Sequence, residues 1–173
     1  MTRQIIFRGR KIQVALDPHA LPDGQIVQYE AVLHPGAVVI LPMLDTDRVC
    51  LLQNQRVIVG ATLWEAPAGT LEPGEAVESA AQRELAEETG YRAGRWRKLA
   101  EFFSSPGIMT ERMHLFLAED LVPGPMQLEK DEHLEPQVVP WSQAVAWALD
   151  GTIQDAKTLV AVLLWEKLRQ VTP

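Results

Sequence analysis

Gly69-Thr-Leu-Glu-Pro-Gly-Glu75-Ala-Val-Glu-Ser-Ala-Ala-Gln-Arg83-Glu84-Leu-Ala-Glu87-Glu88-Thr-Gly90-Tyr91 is the stretch that decides how this chain is read. Its pattern predicts a helix over Ala76–Thr89, closed by Gly90 at the position of a C-cap glycine. At about 100° per residue, with Glu84 as origin, Val77 falls near ~20°, Glu88 near ~40° and Ala81 near ~60°. Ala80 and Glu87 fall on the other side, near roughly −40° and −60°. The glutamates therefore share the face of the small apolar residues that should pack on a sheet. Burying a lone carboxylate costs several kcal/mol unless it is paired or bound to a metal.

The helix electrostatics sharpen the point. Glu87 and Glu88 occupy the last turn, where the macrodipole is negative and cations are preferred. Glu84 and Glu88 stand four apart and repel. Arg83 can answer Glu87 at i+4, which leaves two carboxylates over. A divalent cation would satisfy them, and hard oxygen donors point to Mg²⁺, or Mn²⁺, rather than zinc.

Outward from this helix the chain reads as one domain of mixed α/β (α+β) type. Its 173 residues and 19.3 kDa suit a single hydrophobic core. With 47% hydrophobic and 23% charged residues it is an ordinary globular mix, so disorder and collagen-like repetition are excluded. A net charge of −7 and a pI near 5.1 argue against a protein that coats nucleic acid or an anionic membrane. The single cysteine, Cys50, lies in an apolar run and reads as core. Met1–Phe7 lacks the apolar stretch of a signal peptide, so the expected location is the cytoplasm.

Short strands are expected at Ile5–Phe7, Lys11–Leu16, Val27–Leu33, Ala37–Leu44 and Val49–Leu52, with a loop over Pro18–Gly24. After the acidic helix come strands at Leu99–Phe103 and Met113–Leu117, then an acidic loop from Pro123 to about Pro136. Two helices, Trp141–Leu149 and about Gln154–Gln170, close the chain. His114 reads as a structural residue within its strand.

Gly69, Glu75 and Arg83-Glu84-Leu-Ala-Glu87-Glu88-Thr-Gly90, at these spacings, resemble a complete Nudix box. Seven fixed residue types at fixed positions would arise by chance roughly once in 10⁸ starting points. Tyr91 stands where the box usually has an aliphatic residue. The resemblance implies a phosphoanhydride hydrolase with an α/β/α sandwich fold, a mixed sheet and an N-terminal strand extension. By similarity, Glu84, Glu87 and Glu88 would hold the metal together with the carbonyl of Ala68. Arg83 would orient the carboxylates, Gly69 and Gly90 would permit the bends at either end, and Glu75 belongs to the box framework.

Outside the box, Trp64-Glu-Ala-Pro-Ala-Gly69 and Glu72-Pro-Gly-Glu75 are similar to the entry segment of ADP-ribose pyrophosphatases and related nucleotide-sugar hydrolases. Pro106 stands 15 residues beyond Tyr91, a spacing associated with that subfamily. Ser105-Pro-Gly107, Thr110-Glu111 and Asp131-Glu132-His-Leu-Glu135 resemble its later loops. The resemblance puts Arg56, Glu30, Pro106 and Glu111 on the substrate, and Glu132 or Glu135 as general base, with Glu87 in reserve. It implies a homodimer in which residues 1–35 reach across to the partner of a 36–173 catalytic unit. The expected reaction is Mg²⁺-dependent hydrolysis of ADP-ribose to AMP and ribose 5-phosphate. GDP-mannose or another nucleotide sugar is the alternative substrate, and a non-cleaving ADP-ribose sensor the alternative class.

Overall fold

The structure, a computed structural model, describes residues 2–128 and 133–171. The chain runs β1 (Gln4–Arg8), β2 (Gln13–Ala20), β3 (Ile26–Leu33), β4 (Ala37–Pro42), β5 (Arg48–Arg56), β6 (Ala61–Glu65) and β7 (Ala68–Thr70). It continues with α1 (Val77–Thr89), β8 (Tyr91–Phe103), β9 (Arg112–Pro123), β10 (Leu134–Pro140), α2 (Trp141–Asp150) and α3 (Ala156–Val171).

The central sheet is mixed. Its order is β7-β4-β9-β8, with β4 and β9 parallel and the remaining pairs antiparallel. β4 is buried along its whole length, as expected of a strand covered on both faces. Strand alternation sends its side chains to two different cores. Val38 and Ile40 join Phe116 and Ala118 of β9 against Ala80, Ala81 and Leu85 of α1. Val39 and Leu41 join Leu115 and Leu117 against Trp141 and Ala144 of α2 and Ala161 and Val162 of α3. This is the α/β/α sandwich. A second sheet, β10-β5-β6, adds Val49, Leu51 and Val139 to the α2–α3 side. Each large side chain buried in this way contributes about 1.5–3 kcal/mol.

The N-terminal residues form a separate antiparallel sheet, β1-β2-β3. It is tied to the body where Val32 N donates to Ile108 O at 2.8 Å and Thr110 N donates to Val32 O at 3.0 Å. β2 runs through Pro18 to Ala20, where a loop was expected. β1 ends at the Gln4–Leu16 pair, so one side of β2 is open by Pro18, the edge setting in which a proline is tolerated.

Three other expectations need correcting. β8 starts directly after Gly90 rather than at Leu99, because as an edge strand it carries Arg92, Arg95, Arg97 and Lys98, which masked its pattern. The acidic loop does not extend to Pro136, since β10 begins at Leu134 and pairs Glu135 with Gln53 of β5. β6 and β7 were not anticipated as strands; both are short and interrupted by Pro67. Among the described residues, no helix is long and apolar enough to cross a membrane.

Candidate active site

The site is organised by the five-residue run from Glu65 to Gly69. Glu65 ends β6 and its carboxylate is buried between Arg56 and Lys157. Ala66 N donates to Thr158 Oγ1 at 2.7 Å, which docks the start of α3. Pro67 O accepts from Ile40 N at 2.8 Å, joining the run to β4. Ala68 N donates to Glu88 Oε2 at 2.9 Å. A Cβ on Gly69 would lie 1.8 Å from Glu84 Cδ, so the Glu84 carboxylate occupies the space a side chain would need. Glycine is required here by close approach rather than by backbone angle.

α1 delivers its glutamates as the helical pattern predicts. Glu84 and Glu88 are buried, and Glu87 is about one-third exposed. Gly90 ends the helix at φ 72°, with its N–H on Ala86 O at 3.0 Å. A Cβ there would also meet Gly124 O at 2.7 Å, so both conformation and contact demand glycine. Arg83 is the hub. Its Nε and Nη2 grip Glu75 at 2.9 and 3.0 Å, and its Nη1 reaches Glu84 Oε1 at 2.7 Å and Glu87 Oε2 at 3.0 Å. The Glu75 bond above all, then Glu84 and Glu87, raises the Arg83 pKa against the effect of burial. In return Arg83 holds the Glu75 carboxyl below its ordinary value.

Around these residues opens a cleft of about 670 Å³. It is bordered by Arg83, Glu84, Glu87, Ala68 and Gly69, and also by Arg56 of β5 and by Glu111, beside His34 at 3.5 Å. The structure therefore places Arg56 and Glu111 in the same cleft as the box residues. Glu30 and Pro106 line a second cavity of about 560 Å³ with Asp17, His19 and Tyr29, and do not border the first. Glu135 lies on β10, exposed, accepting from Gln137 Nε2 at 2.9 Å, and borders neither cavity. Glu132 lies outside the described residues. Its chain neighbour His133 gives a carbonyl to Gln55 N at 2.9 Å, next to Arg56. His114 is buried and faces Glu101 at 3.1 Å, in keeping with a structural role. Cys50 is fully buried, which pushes its thiol up to about 12.

The cleft also holds residues that the sequence reading missed. Lys157 and Asp155, at the start of α3, border it, as do Arg10 and Lys11 from the β1–β2 turn. Behind Arg56 and Lys157 sits Glu65. Burial alone would raise its pKa, but the bonds from Arg56 and Lys157 outweigh that and hold it below the ordinary value. A lone glutamate between Trp64 and Ala66 was the available signal; nothing local marks a lysine in the first turn of an amphipathic helix.

Among the described residues, no three acidic, histidine or cysteine side chains close on a point that could hold an ion. Glu84 and Glu87 are both turned onto Arg83. The donor chemistry nevertheless fits a hard divalent cation. Two carboxylates are buried on a helix face that would otherwise be apolar, and a third stands beside them at the cleft.

A mixed sheet between helices, with an arginine-ordered glutamate helix at a cleft, defines a class of metal-assisted phosphoanhydride hydrolases, and comparison with known proteins agrees. The NUDIX domain model matches residues 33–162, and the chain belongs to that family. It is 37% identical over 164 residues to an ADP-ribose pyrophosphatase of Bacillus subtilis (strain 168), covering 94% of this chain and 89% of that one. It is 34% identical over 159 residues to a methanol dehydrogenase activator of Bacillus methanolicus, covering 91% and 86%. A solved structure described as an ADP compounds hydrolase superposes with a TM-score of 0.86 at 25% identity, covering 98% of this chain and 92% of that one. The protein is a Nudix pyrophosphatase, and Nudix hydrolases generally need divalent metal ions.

Proposed function

We propose that the protein hydrolyses ADP-ribose to AMP and ribose 5-phosphate, with Mg²⁺ as the metal and Mn²⁺ as the alternative ion. One observation carries the reading: a single cleft combines the carboxylates of α1 with the cations Arg56 and Lys157, the pairing that a metal-bound diphosphate needs. The Bacillus subtilis relative and the ADP compounds hydrolase support the choice of nucleotide.

Glu84, Glu87, Glu88 and the Ala68 carbonyl would hold the metal, which when bound neutralises the diphosphate and lowers the pKa of water. Arg83 orients the carboxylates, and Arg56 and Glu111 bind the substrate. Glu132 takes the proton from the attacking water, with Glu135 and then Glu87 as the other candidates. Water adds to one phosphorus as the P–O–P bond breaks, leaving a phosphate monoester on each product. Assaying ADP-ribose, GDP-mannose and other nucleotide sugars with Mg²⁺, and separating products by chromatography, tests this. ADP-ribose should give the highest kcat/KM; a preference for GDP-mannose, or binding with no cleavage of any member, refutes it.

The homodimer is part of the same proposal. The N-terminal sheet exposes Phe7 on β1 and Ile26 on β3, each more than half accessible and on one face by register, an apolar surface that a second subunit would cover. Glu30 and Pro106, in the cavity beside that sheet, would then contact the nucleoside at the subunit boundary. Deleting residues 1–16 should yield a monomer with weakened substrate affinity. A dimer with unchanged kinetics by light scattering and assay would refute it.

A further inference from the structure

Glu65 and Lys157 lie outside the Nudix box, yet with Arg56 and Asp155 they form a second bonded ionic cluster beside the cleft. Both Glu65 oxygens are used: Oε1 accepts from Arg56 Nε at 2.7 Å, and Oε2 accepts from Arg56 Nη2 at 2.6 Å and Lys157 Nζ at 2.7 Å. Lys157 also donates to Asp155 Oδ1 at 2.8 Å. The Glu65 side chain is only 2% exposed and that of Lys157 14%, whereas Arg56 is 45% exposed. A buried ion pair is weak evidence of stability, since apolar replacements of similar volume are often neutral or better. Nor is the Glu65–Lys157 pair needed to dock α3, because Thr158 already bonds Ala66 N and Asp155 caps the helix through Thr158 N at 3.0 Å.

Counting donors shows what the cluster leaves over. A guanidinium has five N–H bonds and an ammonium three. Glu65 takes two from Arg56, and Glu65 with Asp155 takes two from Lys157. Among the described residues, three donors on Arg56 and one on Lys157 remain, and both residues border the cleft. Arg56 also lies close enough to Glu88 to feel its charge, so these donors are near the box carboxylates. The cluster of two cations and two carboxylates is neutral in sum. An anion bound there is held by aimed donors rather than by excess positive charge.

We propose that Glu65 is a positioning residue that holds Arg56 and Lys157 side by side as a seat for a diphosphate oxygen, with Lys157 contacting the phosphate directly. The inference rests on the pyrophosphatase reading above and adds a residue and an ordering device to it. It makes a prediction opposite to simple electrostatics. Glu65→Gln makes the site more positive by one charge, yet it should weaken anion binding because the two cations lose their common anchor.

The test measures kcat and KM for ADP-ribose, and calorimetric binding of inorganic pyrophosphate with Mg²⁺, for wild type, Lys157→Gln, Lys157→Arg and Glu65→Gln. Loss of one charge-assisted bond should raise KM and the pyrophosphate Kd about 10–100-fold in Lys157→Gln. Because that bond is made in ground and transition states alike, kcat should stay within a few-fold. Lys157→Arg should recover most of the affinity, and Glu65→Gln should lose it. Unchanged pyrophosphate affinity in Lys157→Gln, or tighter binding in Glu65→Gln, overturns the proposal. If Glu65→Gln does not fold, the two Lys157 variants decide alone. If wild type does not cleave ADP-ribose, the substrate assignment fails while pyrophosphate binding still decides the seat.

Discussion

Gly69→Ala separates the architecture of the site from its stability. The added methyl would lie 1.8 Å from Glu84 Cδ, so the carboxylate must swing away while the backbone stays. Gly69 has no left-handed φ, so alanine itself should stabilise the chain by about 0.4–1 kcal/mol through the unfolded state. Against this, Glu84 loses the 2.7 Å bond from Arg83, a charged hydrogen bond contributing about 1.5–3 kcal/mol. The balance is a net loss of about 1–2 kcal/mol, a Tm lower by roughly 2–8 °C for a chain of this size. Activity should suffer far more if Glu84 holds the metal as proposed, because a displacement of about 1 Å can cost about 10²-fold. Calorimetric melting, kcat and a Mg²⁺ titration on the purified variant provide the check. A variant with the expected Tm but wild-type kcat and metal midpoint would show that the Glu84 position is irrelevant to turnover.

Glu88→Gln keeps an acceptor for Ala68 N and relieves repulsion from Glu84, so it should fold at least as stably as wild type while losing most activity; near-normal turnover would remove Glu88 from the metal set. By mass action Mg²⁺ should raise the wild-type Tm and barely move that of Glu88→Gln, with EDTA abolishing activity; equal shifts in both proteins would contradict this. Glu132→Gln should lower kcat by about 10²–10⁴-fold with little change in Mg²⁺ dependence; if it and Glu135→Gln both stay within a few-fold, Glu87 becomes the base. Glu101, bonded to Lys98 and Arg112, has its pKa lowered from 4.5 to about 2. Its stabilising contribution is therefore present above about pH 4.5 and lost as pH falls towards 2, so Glu101→Gln should unfold with a shallower acid dependence, measurable by circular dichroism.

The acid helix was legible because its conflict is local: glutamates on an apolar face declare themselves within two turns. The box and its glycines were legible through a family resemblance at fixed spacing, and β4 through its unbroken apolar run. β8 was legible only in part, since an edge strand carrying four cations resembles a loop. β10 was hidden because Pro136 and Glu135 look like turn residues, and its pairing with β5 is set by a contact about eighty residues away in sequence. Lys157 was illegible for the same reason. Its meaning depends on Glu65, ninety-two residues earlier, and no local window contains both. Glu30 and Pro106 were both expected on the substrate, but chain order could not show that they line a cavity separate from the box.

The run Glu65–Gly69 bonds the Arg56–Lys157 pair at one end and Glu88 at the other, and this divides the protein into a conservative and a permissive part. Inserting or removing one residue there would exchange inward and outward faces, taking Glu65 off Arg56 and Ala68 N–H off Glu88 in the same step. Variation in this segment is thus confined to isosteric changes. Arg10 and Lys11 in a surface turn, and Ser104 and Glu111 at the ends of a loop, also border the cleft but lie outside this run. A descendant of this chain seeking a different leaving group, or an engineer imposing one, would find its latitude in those two loops and leave the strand between them untouched.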